Sequence, residues 1–268
     1  FFLDVWFESS FCSAKRKANI VSVLLSFSCQ ITYCHFNSLY FIIYNLFNYI
    51  AFFKKGQVVY NRYMDLFIVL IVVGILLVSL TIHEIAHGLM AFWLGDDTAK
   101  NEGRLTFNPV EHLEPFMSVI LPTLCILTGV PVIGGAKPVP VNPRKLKGEE
   151  WGMALVSLAG PLSNFIMAFI AFAFFSVLNM GEGFVAVIVV YFIKINLGLM
   201  LFNLLPVPPL DGSKIIYPIA PEFIQKGIRS LERNPLVIFA IILLFSTQIS
   251  GLIGIAQSAI LSFFYWIF

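Results

Sequence analysis

Between Gly152 and Leu178 the chain runs for 27 residues without one charged side chain. Few folds accept such a stretch. In water it would have to disappear inside a large core. In lipid it need only coil into a helix, which bonds each backbone N–H and C=O within its own chain. At 1.5 Å per residue the stretch is about 40 Å long, more than the ~30 Å of a bilayer's hydrocarbon core. The remainder of the chain decides for lipid. Hydrophobic residues make up 59% of the 268 and charged residues 12%, with a mean hydropathy of +0.88, against about 45–50% and about 25% in soluble domains. A soluble globule and a disordered chain are excluded. So is a nucleic-acid binder, because a scattered net charge of +2 cannot track phosphates. The expectation is an all-α polytopic membrane protein.

Five apolar stretches mark the candidate helices. Asp65 to Leu94 is long enough for a span. Phe116 to Val130 is short, bounded by Pro115 and Pro131 and interrupted by Pro122, and so reads as a re-entrant segment. Gly152 to Leu178 and Phe184 to Leu205 are full spans separated only by Asn179–Gly183. Leu236 to Phe268 is apolar but is expected to break near Gly251 and Gly254, giving one span plus an interfacial piece, or two short helices. About four to six transmembrane helices result. Val130 to Arg144 is rich in Pro, Val and Gly, which suits short edge strands or extended chain.

The chain also divides by composition. Residues 1–63 hold no Pro, one Gly, 17 of the 41 aromatics and a net charge of +4, whereas the remainder carries −2. Three readings apply to this front segment: an extra membrane segment, a targeting peptide, or a start read too far upstream, with translation beginning at Met64. The composition change and the absence of Met at position 1 favour the last. The expected organisation is thus a doubtful extension at 1–63, a membrane core at 64–235 and one or more membrane helices at 236–268.

Within the first long helix lies His83-Glu84-Ile85-Ala86-His87, an H-E-x-x-H. Helical periodicity sets the two imidazoles one turn apart on one face, where both can bind one ion, and leaves Glu84 one position round, able to reach a water at that ion. Two His and a Glu inside an apolar helix are costly in lipid, which marks them as functional. A catalytic zinc takes three protein ligands and keeps one position for water. Candidates for the third are Asp211, His112, His35 and the carboxylates between Asp96 and Glu114. Asp211 stands out because it closes Asn203-Leu-Leu-Pro-Val-Pro-Pro-Leu-Asp211-Gly212, whose prolines unwind a helix end. An isolated Asp-Gly, however, more often marks a turn.

These residues resemble the site-2 protease family of intramembrane metalloproteases. The resemblance rests on H-E-I-A-H-G at His83–Gly88 with N-L-L-P-V-P-P-L-D-G at Asn203–Gly212. It extends through G-G-A-K-P-V-P-V-N-P at Gly134–Pro143 and A-G-P-L-S-N at Ala159–Asn164. It implies the small bacterial and archaeal type, without the PDZ insert or nucleotide-binding regulatory domain of larger members. It implies one Zn2+ held by His83, His87 and Asp211, with Glu84 as general base and Asn164 and Asn203 holding the substrate backbone or its oxyanion. The implied substrate is a transmembrane protein or peptide, cut in or near its membrane segment during regulated proteolysis or clearance of signal-peptide remnants.

Topology constrains the same reading. For His87 and Asp211 to meet one ion they must share a side of the bilayer, so Phe116–Val130 must not cross it fully. Ten Lys/Arg, from Lys100 to Arg233, then lie on the metal side and none in the Asn179–Gly183 turn. The positive-inside rule turns that side toward the cytoplasm. A transmembrane helix must unwind before it can be cut, and Val130–Val141 is expected to pair with the extended substrate as an added strand. Two other classes compete. A membrane zinc transporter needs polar ligands along a path through several helices, which the later spans do not offer. A catalytically inactive, helix-binding relative is disfavoured by the intact Glu84.

Overall fold

The computed structural model describes residues 62–112, 137–181 and 183–268. The described part is helical throughout its regular structure, as expected. Its helices are α1 (Arg62–Trp93), the short α2 (Thr98–Asn101), α3 (Glu149–Val177), α4 (Phe184–Asn203), α5 (Asp211–Ile216), α6 (Glu222–Glu232), α7 (Pro235–Leu244) and α8 (Ser246–Ile267). Four of these are long and apolar enough to cross a bilayer: Leu70–Trp93 within α1, α3, α4 and α8. Residues 1–61 of the extension at 1–63, and all of the re-entrant stretch expected at 116–130, lie outside the described residues.

Helix α3 is central and packs on α1, α4 and α5. Among lipid tails there is no hydrophobic drive to bring helices together, so close approach of small residues must do it. The buried face of α3 supplies Gly152, Ala154, Ala159, Gly160 and Ala168. Its opposite face, Leu155, Leu158, Leu162, Ile166, Ile170 and Phe174, is exposed, a stripe at three- and four-residue spacing suited to lipid contact. Ile68, Val72 and Ile75 of α1 meet Tyr191, Ile195 and Leu199 of α4 in a second packed cluster. Helix α8 is tied to α4 by Gln257, whose Nε2 donates to the Lys194 carbonyl at 3.0 Å. It meets α3 through aromatic rings, Phe264 against Phe169 and Phe172. These phenylalanines thus serve interhelical packing.

One local reading of the sequence is corrected, and another is narrowed to one of its alternatives. The break in the last apolar stretch falls at Phe245, between α7 and α8, while Gly251 and Gly254 lie inside α8. A glycine costs a helix only about 1 kcal/mol relative to alanine, too little to interrupt a well-packed one. Of Val130–Arg144, residues 137–144 are described: 137–142 run as extended chain, one of the two expected forms, with no strand among the described residues, and Pro143–Lys145 is a short 3-10 helix.

The connection from α1 to α3 returns to the end it leaves. Helix α1 stops in a Schellman motif, with Gly95 left-handed and the Gly95 and Asp96 amides donating to Phe92 and Ala91. The Lys147 amide, just before α3, then donates to the Leu94 carbonyl at 2.9 Å. Between these points the His112 carbonyl accepts from the Lys137 amide at 2.8 Å, so these two described residues lie side by side at the same end. Helix α1 and α4 point toward this end of the molecule and α3 points away from it. Beyond α4 the chain forms the amphipathic α6, with Glu222, Lys226, Arg229 and Arg233 along one side and Ile224, Ile228 and Leu231 on the other.

Candidate metal centre

His83 and His87 project from α1 toward the N-terminal half of α3, and both are buried. Residues 204–210 leave α4 through Pro206, Pro208 and Pro209 and bring Asp211, the first residue of α5, back to them. The Asp211 Oδ2 lies 3.2 Å from His83 Nε2 and 3.3 Å from His87 Nε2, and the two nitrogens are 3.0 Å apart. Gly212 makes this return possible, because a β-carbon there would overlap the Leu204 and Leu205 carbonyls. Of the candidates read from the sequence, these three form the described group able to share a metal. His112 stands apart, buried, with Nε2 at 2.9 Å from the Thr106 carbonyl. His35 lies outside the described residues.

The protonation of the two rings follows from their other nitrogens. His87 Nδ1 sits 2.7 Å from the Val156 carbonyl, which only accepts, so Nδ1 carries the proton. His83 Nδ1 lies 2.6 Å from the Asn164 Oδ1, again an acceptor. In the neutral rings both Nε2 atoms therefore present lone pairs, to each other and to a carboxylate. Three buried acceptors at such distances repel unless a cation lies among them. Tetrahedral ligands about 2.0–2.1 Å from a zinc ion are themselves about 3.3 Å apart, close to the separations found. The donor set fits a zinc ion.

Around this trio lies a cavity of about 290 Å³, walled by Glu84, Pro138, Val139, Val141, Asn203 and Lys214 among others. Glu84 is not one of the converging group. Its Oε2 accepts from the Val139 amide at 2.9 Å, which holds the carboxylate at the cavity wall beside the extended segment. Asn203 lines the cavity while its Nδ2 donates to the Leu199 carbonyl at 3.0 Å. Asn164 does not line it. It is fully buried, with Oδ1 on His83 and Nδ2 donating to Asn196 Oδ1 at 2.9 Å, so both ends of its amide are engaged within the protein. Ser157 is a wall residue, and its carbonyl lacks a helical donor because Pro161 has no N–H.

Two contributors were not apparent from residue chemistry. The Val156 carbonyl orients His87, and carbonyls carry no sequence signal. Gly160 faces both rings, and a β-carbon there would overlap Cε1 and Nε2 of His87 and Cε1 of His83.

The extended segment at the cavity rim is held by Asp96, whose Oδ2 accepts from the Asn142 amide at 2.6 Å while Oδ1 accepts from the amide and hydroxyl of Thr98. Arg104 adds a bond from its guanidinium to the Lys137 carbonyl at 2.9 Å. Burial alone would raise the Asp96 pKa, but the Thr98 hydroxyl, the Asn142 and Thr98 amides and the Lys145 ammonium outweigh it and hold the carboxyl below its ordinary value. Those bonds stabilise fully above the unfolded carboxylate pKa of about 3.9 and are lost as pH falls through the depressed folded value. Asp96→Asn should therefore lower Tm at neutral pH by the equivalent of about 2 kcal/mol. The gap from wild type should close in acid; a gap that persists into strong acid would count against this role.

No family model matches the chain, and no solved structure does. Curated relatives do, and each is named "Putative zinc metalloprotease". The chain is 40% identical over 175 residues to YwhC of Bacillus subtilis, covering 62% of this chain and 77% of that one. It is 30% identical over 206 residues to Rip2 of Mycobacterium tuberculosis, covering 72% and 70%. A stretch of 71 residues is 39% identical to MJ0611 of Methanocaldococcus jannaschii, covering 26% and 36%.

Proposed function

Because the chain belongs to the zinc metalloprotease family that includes YwhC and Rip2, we propose that it is an intramembrane zinc endopeptidase of the site-2 protease kind. Its substrates on this reading are membrane proteins, cut in or near their transmembrane segments. The observation that carries the reading is depth. His87 and His83 lie six and ten residues before the end of α1 at Trp93, about 9 and 15 Å along the helix axis. A buried His-His-Asp group so far inside a candidate span, with a carboxylate beside it, has little purpose except chemistry in the bilayer.

His83, His87 and Asp211 would hold the ion, which when bound polarises a peptide carbonyl and acidifies water. Every other step falls to the protein. Glu84, anchored by the Val139 amide, takes a proton from the attacking water and delivers it to the departing nitrogen. Burial of the site keeps bulk water from competing for these bonds. The substrate lies extended against residues 139–141, where the Val139 carbonyl and Val141 amide meet no backbone partner among the described residues, and Asn203 borders the same space. Asn164, enclosed behind His83, acts on that ring and not on substrate. Val141→Pro removes that backbone amide and should slow cleavage about tenfold, the scale of one or two lost hydrogen bonds, with zinc content unchanged. An equal fall in both would argue against strand pairing.

The site end carries Lys100, Arg144, Lys147, Lys214, Lys226 and Arg229 among its basic residues, which supports a cytoplasmic orientation. One experiment tests function and orientation together. The protein is kept in cytoplasmic-membrane vesicles with a single-span model substrate, and a membrane-impermeant chelator is added outside. Cleavage within the span should stop in inverted vesicles, resume on adding zinc, and continue in right-side-out vesicles. Cleavage that ignores the chelator in both would overturn the metalloprotease reading; the reverse pattern would overturn the orientation.

A further inference from the structure

The hydrogen bonds behind His83 have only one consistent direction. At their far end is the backbone carbonyl of Phe192, which can only accept, so the Asn196 atom 2.9 Å from it is the amide nitrogen. That turns the Asn196 Oδ1 toward Asn164, which donates to it from Nδ2 at 2.9 Å. The remaining Asn164 atom, Oδ1, faces His83 Nδ1 at 2.6 Å and requires a proton there. The His83 Nε2 is then left bare, on the side of His87 and Asp211.

We propose that Asn196 is a positioning residue that fixes the amide of Asn164 and, through it, holds His83 in the tautomer able to bind a metal. The inference rests on the metal-site reading above. An amide's oxygen and nitrogen ends are nearly the same size, so packing alone does not choose between them. If Asn164 turned over, its NH2 would face Nδ1, the ring proton would move to Nε2, and the metal position would be blocked by hydrogen. Both asparagines are fully buried, so water cannot supply the missing direction. The choice is made by a backbone carbonyl of α4, transmitted across α3 to α1.

The test measures zinc affinity of the full chain in lipid nanodiscs by competition with a chelator. Asn196→Leu should weaken binding by about 10–100-fold, the usual cost of losing a partner behind a metal-ligating histidine. Adding Asn164→Asp to Asn196→Leu should recover about tenfold or more, because a carboxylate accepts from Nδ1 whichever way it turns. A role in packing alone would not be rescued. Wild-type affinity in Asn196→Leu, or no recovery in the double variant, overturns the proposal. Should Asn196→Leu not fold, the 15N spectrum of the metal-free wild type decides. A proton on Nδ1 of His83 is expected, and one on Nε2 overturns the assignment. If the wild type binds no zinc, the metal-site reading fails, and the same spectrum still judges Asn196.

Discussion

Glu84→Gln should cut peptide hydrolysis by about 10²–10⁴-fold while zinc content and affinity stay at wild-type values. The separation of the two effects follows from geometry. The three atoms that converge belong to His83, His87 and Asp211, so the glutamate is not needed to hold an ion. Glutamine has the same shape and keeps an oxygen that can accept from the Val139 amide, now 2.9 Å from the Glu84 carboxylate. The cavity wall therefore stays in place. What glutamine cannot do is take a proton from water near neutral pH. Cleavage kinetics and metal analysis on one preparation check this. Loss of zinc along with activity would make Glu84 a structural or ligating group; undiminished cleavage would remove it as the base.

Gly160→Ala should be nearly as damaging by a wholly steric route. A single methyl on α3 would occupy the space of both imidazole rings. Helix α3 cannot withdraw, since it also carries the Val156 carbonyl and Asn164 that orient those rings. The rings must therefore shift, and a displacement of about 1 Å in a reacting group can cost 10²-fold. Both zinc affinity and cleavage should fall about 100-fold or more, with helical content unchanged. Metal analysis, kinetics and circular dichroism on the purified variant decide it. Retained zinc would mean that α3 yields more readily than its packing suggests.

These two variants divide along what the residues themselves reveal. Glu84, His83 and His87 are legible because ionisable groups at helical spacing in an apolar stretch have no cheap structural use. Asp211 is legible because prolines and glycine around it mark a chain that must leave a helix and fold back. The central helices were equally plain, since long charge-free runs permit little else. Gly160 and Asn196 were not, because a glycine or an asparagine in a membrane helix acquires meaning only from the surface opposite. Asn164 was placed in the right neighbourhood, but that its amide bonds the His83 ring depends on α1 opposite it and carries no sequence signal. The glycines of α8 misled for a related reason. Taken singly they weaken a helix, but Gly254 is buried among neighbours that hold it.

The fold-back that brings Asp211 to the imidazoles has a consequence for biosynthesis. The two ends of the trio are separated by the whole of α3 and α4. A chain still emerging from the ribosome, with α1 already in the membrane, holds two ligands and lacks the third. On the proposed function, such a nascent polypeptide would lack one of its three ligands and would not cut other newly inserted segments beside it at the translocon. Competence would arrive only when α5 is made and docks, a delay written into chain order.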